Sequence, residues 1–182
     1  MAQEPAAPIV PESFSVHAVH LVRTATQSNL ALSQMADQKA SILMGATFVV
    51  FTIAVGQASR GDFPLFLLVL ACCAFLSALF AVAAILPSFS PPAASPETEN
   101  ILFFGVFTRL SEEEFATRVL QRLASDETVF RTMLRDIYQN GQVLQRKKYR
   151  FLGLAYRIFI AGLTLTLAIF LLESREALQR FV

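Results

Sequence analysis

The sequence predicts an all-α integral membrane protein with three transmembrane helices. Three observations predict it. Hydrophobic residues make up 54% of the 182 positions and charged residues only 16%, well below the share of about 25% usual in soluble domains. Three apolar runs are long enough to cross a bilayer. The polar chain between them is too short to cover three such runs as the core of a soluble protein.

The first run is Ser41–Gln57, near the short end of the roughly 17–25 residues that a span needs. The second, Pro64–Leu86, contains no charge. Pro64 suits a first helical turn and Pro87 cannot continue the helix. The third, Phe151–Leu172, carries a single charge, Arg157, about a turn and a half from its start, with snorkelling to the near headgroups as its expected behaviour. Residues 58–63 between the first two runs form a tight hairpin, so both outer ends of that hairpin emerge on one side. Eleven of the fifteen Lys and Arg residues fall on that side, three (Arg60, Arg175, Arg180) on the other, and Arg157 within the third span. The positive-inside rule then places the N-terminus in the cytoplasm and the C-terminus outside.

The expected organisation is a disordered tail over 1–12, a cytoplasmic helix over 13–40 leading into span 1 (41–57), and span 2 (64–86). A linker, a Phe-rich loop and cytoplasmic helices follow over 87–150, then span 3 (151–172) and an outer tail (173–182). The tail over 1–12 has no basic and apolar pattern of a secretory signal. Residues 88–100 are rich in Pro and Ser. Ile101–Phe107 is too short to span and is compatible with a buried loop, a short strand or an interfacial patch. Ser111-Glu112-Glu113-Glu114 is a capping box that opens a short helix. Ser125-Asp126 opens a second one, with acids favoured by the dipole of its first turn.

That second helix carries a seam at four- and three-residue spacing: Phe130, Leu134, Ile137, Gly141, Leu144, Lys148 and Phe151, continuing through Ala155, Ile158, Gly162 and Leu165. The first and third spans are therefore expected to continue as long cytoplasmic stalk helices, with one short cytoplasmic helix beside them. Gly141 would let another helix approach closely. The 13–40 helix is weakly amphipathic, with Val16, Val19, Thr26, Leu30 and Ser33 near one face, and needs a partner. Aligning the span starts sets Asp37 level with Lys147 and Lys39 level with Tyr149. Asp37 is then expected to meet the basic run Arg146-Lys147-Lys148 with Arg150. Ser41/Gly45 and Ala74/Ala78 are small pairs suited to packing between helices in a bilayer.

Arg146, Lys147 and Lys148 read first as a positive-inside anchor facing anionic headgroups. They also form a candidate anion site for a ligand phosphate, and Arg131 and Arg135, four residues apart on one face, are candidates for the same role. Alternation with acids gives those two arginines a solvated face as the other reading. His17 and His20 are too few to hold a metal alone, and Cys72 and Cys73 lie inside an apolar run, so no metal site is expected. No nucleophile–base set, phosphate-binding Gly-rich loop or paired carboxylates appear, and no enzymatic activity or cofactor is expected.

Three stretches resemble those of a known family. Met35 to Leu43 (MADQKASIL) is similar to the approach to the first span in the Pycsar effector transmembrane family. Asn100 to Gly105 (NILFFG) resembles its segment after the hairpin, and Asp136 to Leu152 its run into the last span. The likeness covers roughly Leu21 to Leu172. It implies a bacterial antiphage effector in the inner membrane, with the C-terminus periplasmic. A partner cyclase makes cyclic CMP or cyclic UMP on infection, and the effector responds by impairing membrane integrity. The implied partners are the lipid bilayer, that cyclic pyrimidine nucleotide and further copies of the chain, with no nucleic acid polymer. The chain holds no recognisable cyclic-nucleotide-binding domain, so direct sensing would need a site in the stalk. The matched Asp37, Lys39, Asn100 and Gly105 are expected to matter structurally. A non-enzymatic membrane scaffold or accessory subunit is the alternative.

Overall fold

The computed structural model describes residues 13–58, 64–86 and 99–179, with the side chains of 58 and 176–179 excepted. The expected tail, the hairpin turn and most of the Pro/Ser linker lie outside those residues. Among the described residues the structure is helical, without strands. The helices are α1 (Ala18–Ala58), α2 (Leu65–Ile85), α3 (Phe104–Phe107), α4 (Glu112–Arg122), α5 (Asp126–Val143) and α6 (Arg150–Gln179). A π-helical segment, Leu144–Tyr149, joins α5 to α6. Three helical stretches are long and apolar enough to cross a membrane: 18–57, 65–85 and 126–175. In their apolar windows only 22%, 22% and 11% of residues are buried, so most of that surface needs an apolar surrounding.

The chain divides into two units, Met1–Leu30 with Ser88–Gly141, and Ala31–Pro87 with Gln142–Val182.

The first unit is tied by polar contacts. Buried Asn100 uses both ends of its amide. Its Oδ1 accepts from the Leu102 N–H at 3.0 Å, and its Nδ2 donates to Asp136 Oδ1 at 2.9 Å. This bends the chain into α3, where Gly105 and Val106 are buried and Phe104 is exposed. The Ile101–Phe107 segment is thus one helical turn with a buried side. Arg118 meets Glu99 at 3.1 Å, and Phe107 packs on Phe115 at 5.5 Å between ring centroids. The capping box forms as the sequence requires: Ser111 N–H donates to Glu114 Oε2 at 3.0 Å, and Glu114 N–H donates to Ser111 Oγ at 3.3 Å. The same bonds hold the Glu114 carboxyl below its ordinary range, the backbone N–H of Ser111 foremost and its hydroxyl next. Ser125 caps α5, its Oγ accepting from the Thr128 N–H at 3.3 Å. Asn29 Nδ2 donates to the Ile137 carbonyl at 3.0 Å, and Phe14 packs on Phe130 at 4.7 Å.

Three expectations fail in this unit. Val16, Val19, Thr26 and Leu30 are exposed, and the inward face of α1 is instead Val22, Ala25 and Asn29. Leu134 is 54% exposed, so it does not belong to the packed seam. Holding Asp136 against Asn100 turns Leu134, which lies nearly opposite on the helix, outward. Gly141 is not a point of close approach either, because nothing lies within 4 Å of the place its Cβ would take.

The second unit is a three-helix bundle. Residue pairing sets the directions: Ala36, Ala40, Leu144, Leu152 and Ala84 form one cluster, and Leu43, Ala155 and Ala81 the next. Numbers rise together along α1 and α6 and fall along α2, so α1 and α6 run parallel and α2 antiparallel. Phe80 stacks with Phe151, and Phe66 meets Phe170 edge-on at 5.5 Å, continuing the same register to the far end. The facing residues are small. α2 buries Ala71, Ala74, Ser77, Ala81 and Ala84. α1 buries Ala36, Ala40, Leu43, Thr47 and Ala54. Small residues let helix backbones approach closely. Ser77 Oγ donates to the Ala155 carbonyl at 2.8 Å across α2 and α6, and Thr47 Oγ1 turns back to the Leu43 carbonyl at 2.9 Å.

Gly162 marks a close crossing of α6 with α2. A Cβ there would collide with Cβ of Cys73 and stand 3.0 Å from its Sγ. Ser41 and Gly45, expected as a packing pair, are exposed, and Gly45 has nothing within 4 Å of a notional Cβ. Of the second expected pair, Ala74 is buried and Ala78 half-buried. Leu165, expected to continue the seam, is 51% exposed.

Candidate functional site

The basic run sits in the one stretch of described helix that is not α-helical. Residues Leu144–Tyr149 (LQRKKY) form a π-helix, with hydrogen bonds reaching one residue further than in an α-helix. Such wide turns cost hydrogen-bond quality and gather at functional sites. Here the extra residue resets the seam. Leu144 is buried and Lys148 half-buried, and then Leu152, rather than the Phe151 of a strict α-helical register, takes the buried place.

Lys148 is the centre of the site. Its Nζ donates to Asp37 Oδ1 at 2.8 Å, Asp37 Oδ2 at 2.7 Å and Ser33 Oγ at 2.8 Å. All three ammonium donors are therefore satisfied by two side chains one turn apart on α1. The lysine side chain is 20% exposed and the carboxylate 40%. Asp37 thus pairs with the basic run as expected, one residue beyond the Lys147 that span alignment indicated. Lys39 does not stand level with Tyr149. Its side chain is exposed, while its carbonyl accepts from Tyr156 Oη at 3.4 Å, and Tyr149 Oη donates to the Leu32 carbonyl at 3.5 Å.

Around this lock Arg146 and Arg150 are exposed and Lys147 is half-buried. The arrangement is one bound cation flanked by two exposed ones, beside the Ala36, Ala40, Ala84, Leu144 and Leu152 cluster. Chemically, it can offer charge to an anion, and an anion that drew Lys148 away would leave Asp37 unpaired next to that cluster.

The other candidates lie apart in kind. Arg131 is exposed and its Nε pairs with Glu127 Oε1 at 2.6 Å in an i,i+4 bridge along α5. That is the solvated-face alternative, worth about 0.3–0.5 kcal/mol. Arg135 is half-buried on the same helix. Both belong to the first unit, whereas Arg146, Lys147 and Lys148 belong to the second. Asn100 and Gly105 are buried in the loop that Asn100 organises. Among the described residues no three His, Cys, Asp or Glu side chains gather as a metal site, and the His17 and His20 rings stand 6.4 Å apart.

Sequence reasoning missed Ser33 as a partner of Lys148, although Ser33 and Asp37 share one face by i,i+4 spacing, which is the signal that was available. It also missed Asn29, Asp136 and the Arg118–Glu99 bridge.

Three helical stretches long and apolar enough to cross a membrane, packed through small residues and held by the Asp37–Lys148 pair, are the architecture of a helical membrane protein. A family model described as the Pycsar effector protein domain matches residues 20–173, most of the chain, and the protein belongs to that family. The family is one of effectors and not a known enzyme family. No curated protein and no solved structure matches the chain.

Proposed function

We propose that this protein is the membrane effector of a bacterial antiphage system. It responds to cyclic CMP or cyclic UMP from a partner cyclase and impairs the integrity of the inner membrane. The observation that carries the reading is the placement of Lys148, fully engaged by Asp37 and Ser33 within a π-helical basic run, in a chain of the Pycsar effector family.

The signal carries one negative phosphodiester. Arg146 and Lys147 attract it, and it competes with Asp37 for the ammonium of Lys148. A π-turn converts to an α-turn by the shift of one residue, which rotates everything beyond it. Release of Lys148 therefore repacks Leu144 and Leu152 against α1 and α2 and turns the third span. Copies of the chain rearranged in this way form a leak. In this reading the N-terminus and the basic run are cytoplasmic and the C-terminus periplasmic, which the excess of Lys and Arg on one side supports.

Co-expression with a pyrimidine nucleotide cyclase tests the proposal. Growth arrest with active cyclase, absent with a catalytically dead one, supports an effector. Equal growth in both cases supports the scaffold alternative.

A further inference from the structure

α6 carries a polar feature on the face turned away from the bundle. Arg150, Gly153 and Arg157 follow one another at i, i+3 and i+7, within an arc of about 60°. The packed side, Leu152, Ala155 and Gly162, lies roughly opposite. Arg150 and Arg157 are both exposed, and neither side chain has a hydrogen bond or ion pair among the described residues. No acid lies on α6 before Glu173. Gly153, between the two arginines, has nothing within 4 Å of where a Cβ would stand. The result is a notch with an arginine at each end.

The geometry of a helix gives the notch a direction. Every Cα–Cβ bond tilts toward the helix N-terminus, so the side chain leaving Arg157 starts back over Gly153 toward Arg150. The two Cα atoms are about 10 Å apart along the axis. Gly153 costs about 1 kcal/mol of helix propensity relative to Ala, and it leaves the groove floor bare. Leu154 and Ile160 border this arc of the helix and are 39% and 59% exposed. Paired cations beside exposed apolar side chains match a ligand that carries both a phosphate and acyl chains.

We infer that Arg150 and Arg157 hold the headgroup phosphate of an anionic phospholipid over Gly153. This rests on the reading of α6 as a span. The guanidinium fork suits a phosphate, and Arg157, about a turn and a half inside the apolar stretch, gains a counter-charge that it lacks among the described residues.

Native mass spectrometry of the detergent-purified chain tests the site, with phosphatidylglycerol or phosphatidylcholine of identical acyl chains added. The wild type should retain phosphatidylglycerol preferentially. Arg157→Gln should lower that retention about tenfold. Gly153→Leu, which changes no charge and fills the notch, should lower it comparably at an unchanged melting temperature. Arg157→Lys should rescue only part, and Arg175→Gln, which removes a charge further along the helix, should change nothing. Equal retention of the two lipids by the wild type would overturn the site. So would wild-type retention in both Arg157→Gln and Gly153→Leu, or displacement of the lipid by inorganic phosphate. Extraction of membranes with alkali separates the two levels. A chain released by alkali refutes the span and the lipid site together, whereas a chain that stays inserted but binds without Arg157 and the notch refutes the site alone.

Discussion

Asp37→Lys removes the carboxylate that binds Lys148 and sets a second ammonium against it. The native carboxylate uses both oxygens, at 2.8 and 2.7 Å, and Lys148 is only 20% exposed. A fully exposed bridge is worth about 0–1 kcal/mol, and breaking a buried one costs about 3–5 kcal/mol. With Asp37 itself 40% exposed, the cost falls between these, at about 2 kcal/mol. For a chain of this size, 1 kcal/mol shifts Tm by about 2–4 °C, so a fall of about 4–8 °C is expected. Loss of ellipticity on heating the purified protein in detergent reads it directly. The charge-reversed double variant, Asp37→Lys with Lys148→Asp, should recover at least half of the loss. An unchanged Tm in the single variant, or a double variant no better than the single, would refute the claim that this pair holds α1 against the π-helical segment.

Four further predictions rest on the packing and the caps. Gly162→Ala drives a methyl into Cys73 and should cost about 1–3 kcal/mol, with recovery when Cys73→Gly is added. Gly45→Ala, with open space around it, should be neutral or stabilising by up to about 1 kcal/mol on the same melting assay. Ser77→Ala loses the bond to the Ala155 carbonyl and should destabilise the bundle by about 1 kcal/mol, read as resistance to denaturation in detergent. Glu114 has a carboxyl pKa lowered in the folded state, so its stabilising effect on α4 is full above the unfolded pKa and is lost as pH falls through the folded one. Glu114→Gln should remove that acid-side loss, and helicity of α4 followed between neutral and acid pH checks it.

Much of the bundle was legible because bilayer thickness and hydrogen bonding leave few options. Uncharged runs bounded by Pro64 and Pro87 announce a helix, and Ser111 with Glu114 announces a helix start, from local chemistry alone. The pairing of Asp37 with the basic run was legible too, because both sit just before an apolar run on helices that leave from one side. The inward face of α1 was not. It is built from Ala36, Ala40 and Thr47, with Asn29 and Ser33, and search for an apolar stripe selects Val16, Val19 and Leu30 instead. Where helices meet through small residues, as Ala36 and Ala40 do with Ala84, a search for large apolar side chains misses the contact face. The π-turn was invisible as well, since nothing in LQRKKY forbids an ordinary α-helix. It shows only in the one-residue shifts, from Lys147 to Lys148 as the partner of Asp37 and from Phe151 to Leu152 in the core. Gly141 and Gly162 occupy equivalent places in the seam. Only the approach of α2 at Cys73 distinguishes the glycine that matters from the one that does not.

A cyclic pyrimidine nucleotide acting on this chain should open the membrane. Purified protein reconstituted into liposomes loaded with a self-quenching dye measures it. Addition of cyclic CMP or cyclic UMP should release the dye from wild-type vesicles, and Asp37→Asn, which weakens the hold on Lys148, should lower the nucleotide concentration needed. Retention of the dye by folded, inserted protein with either nucleotide present would contradict it.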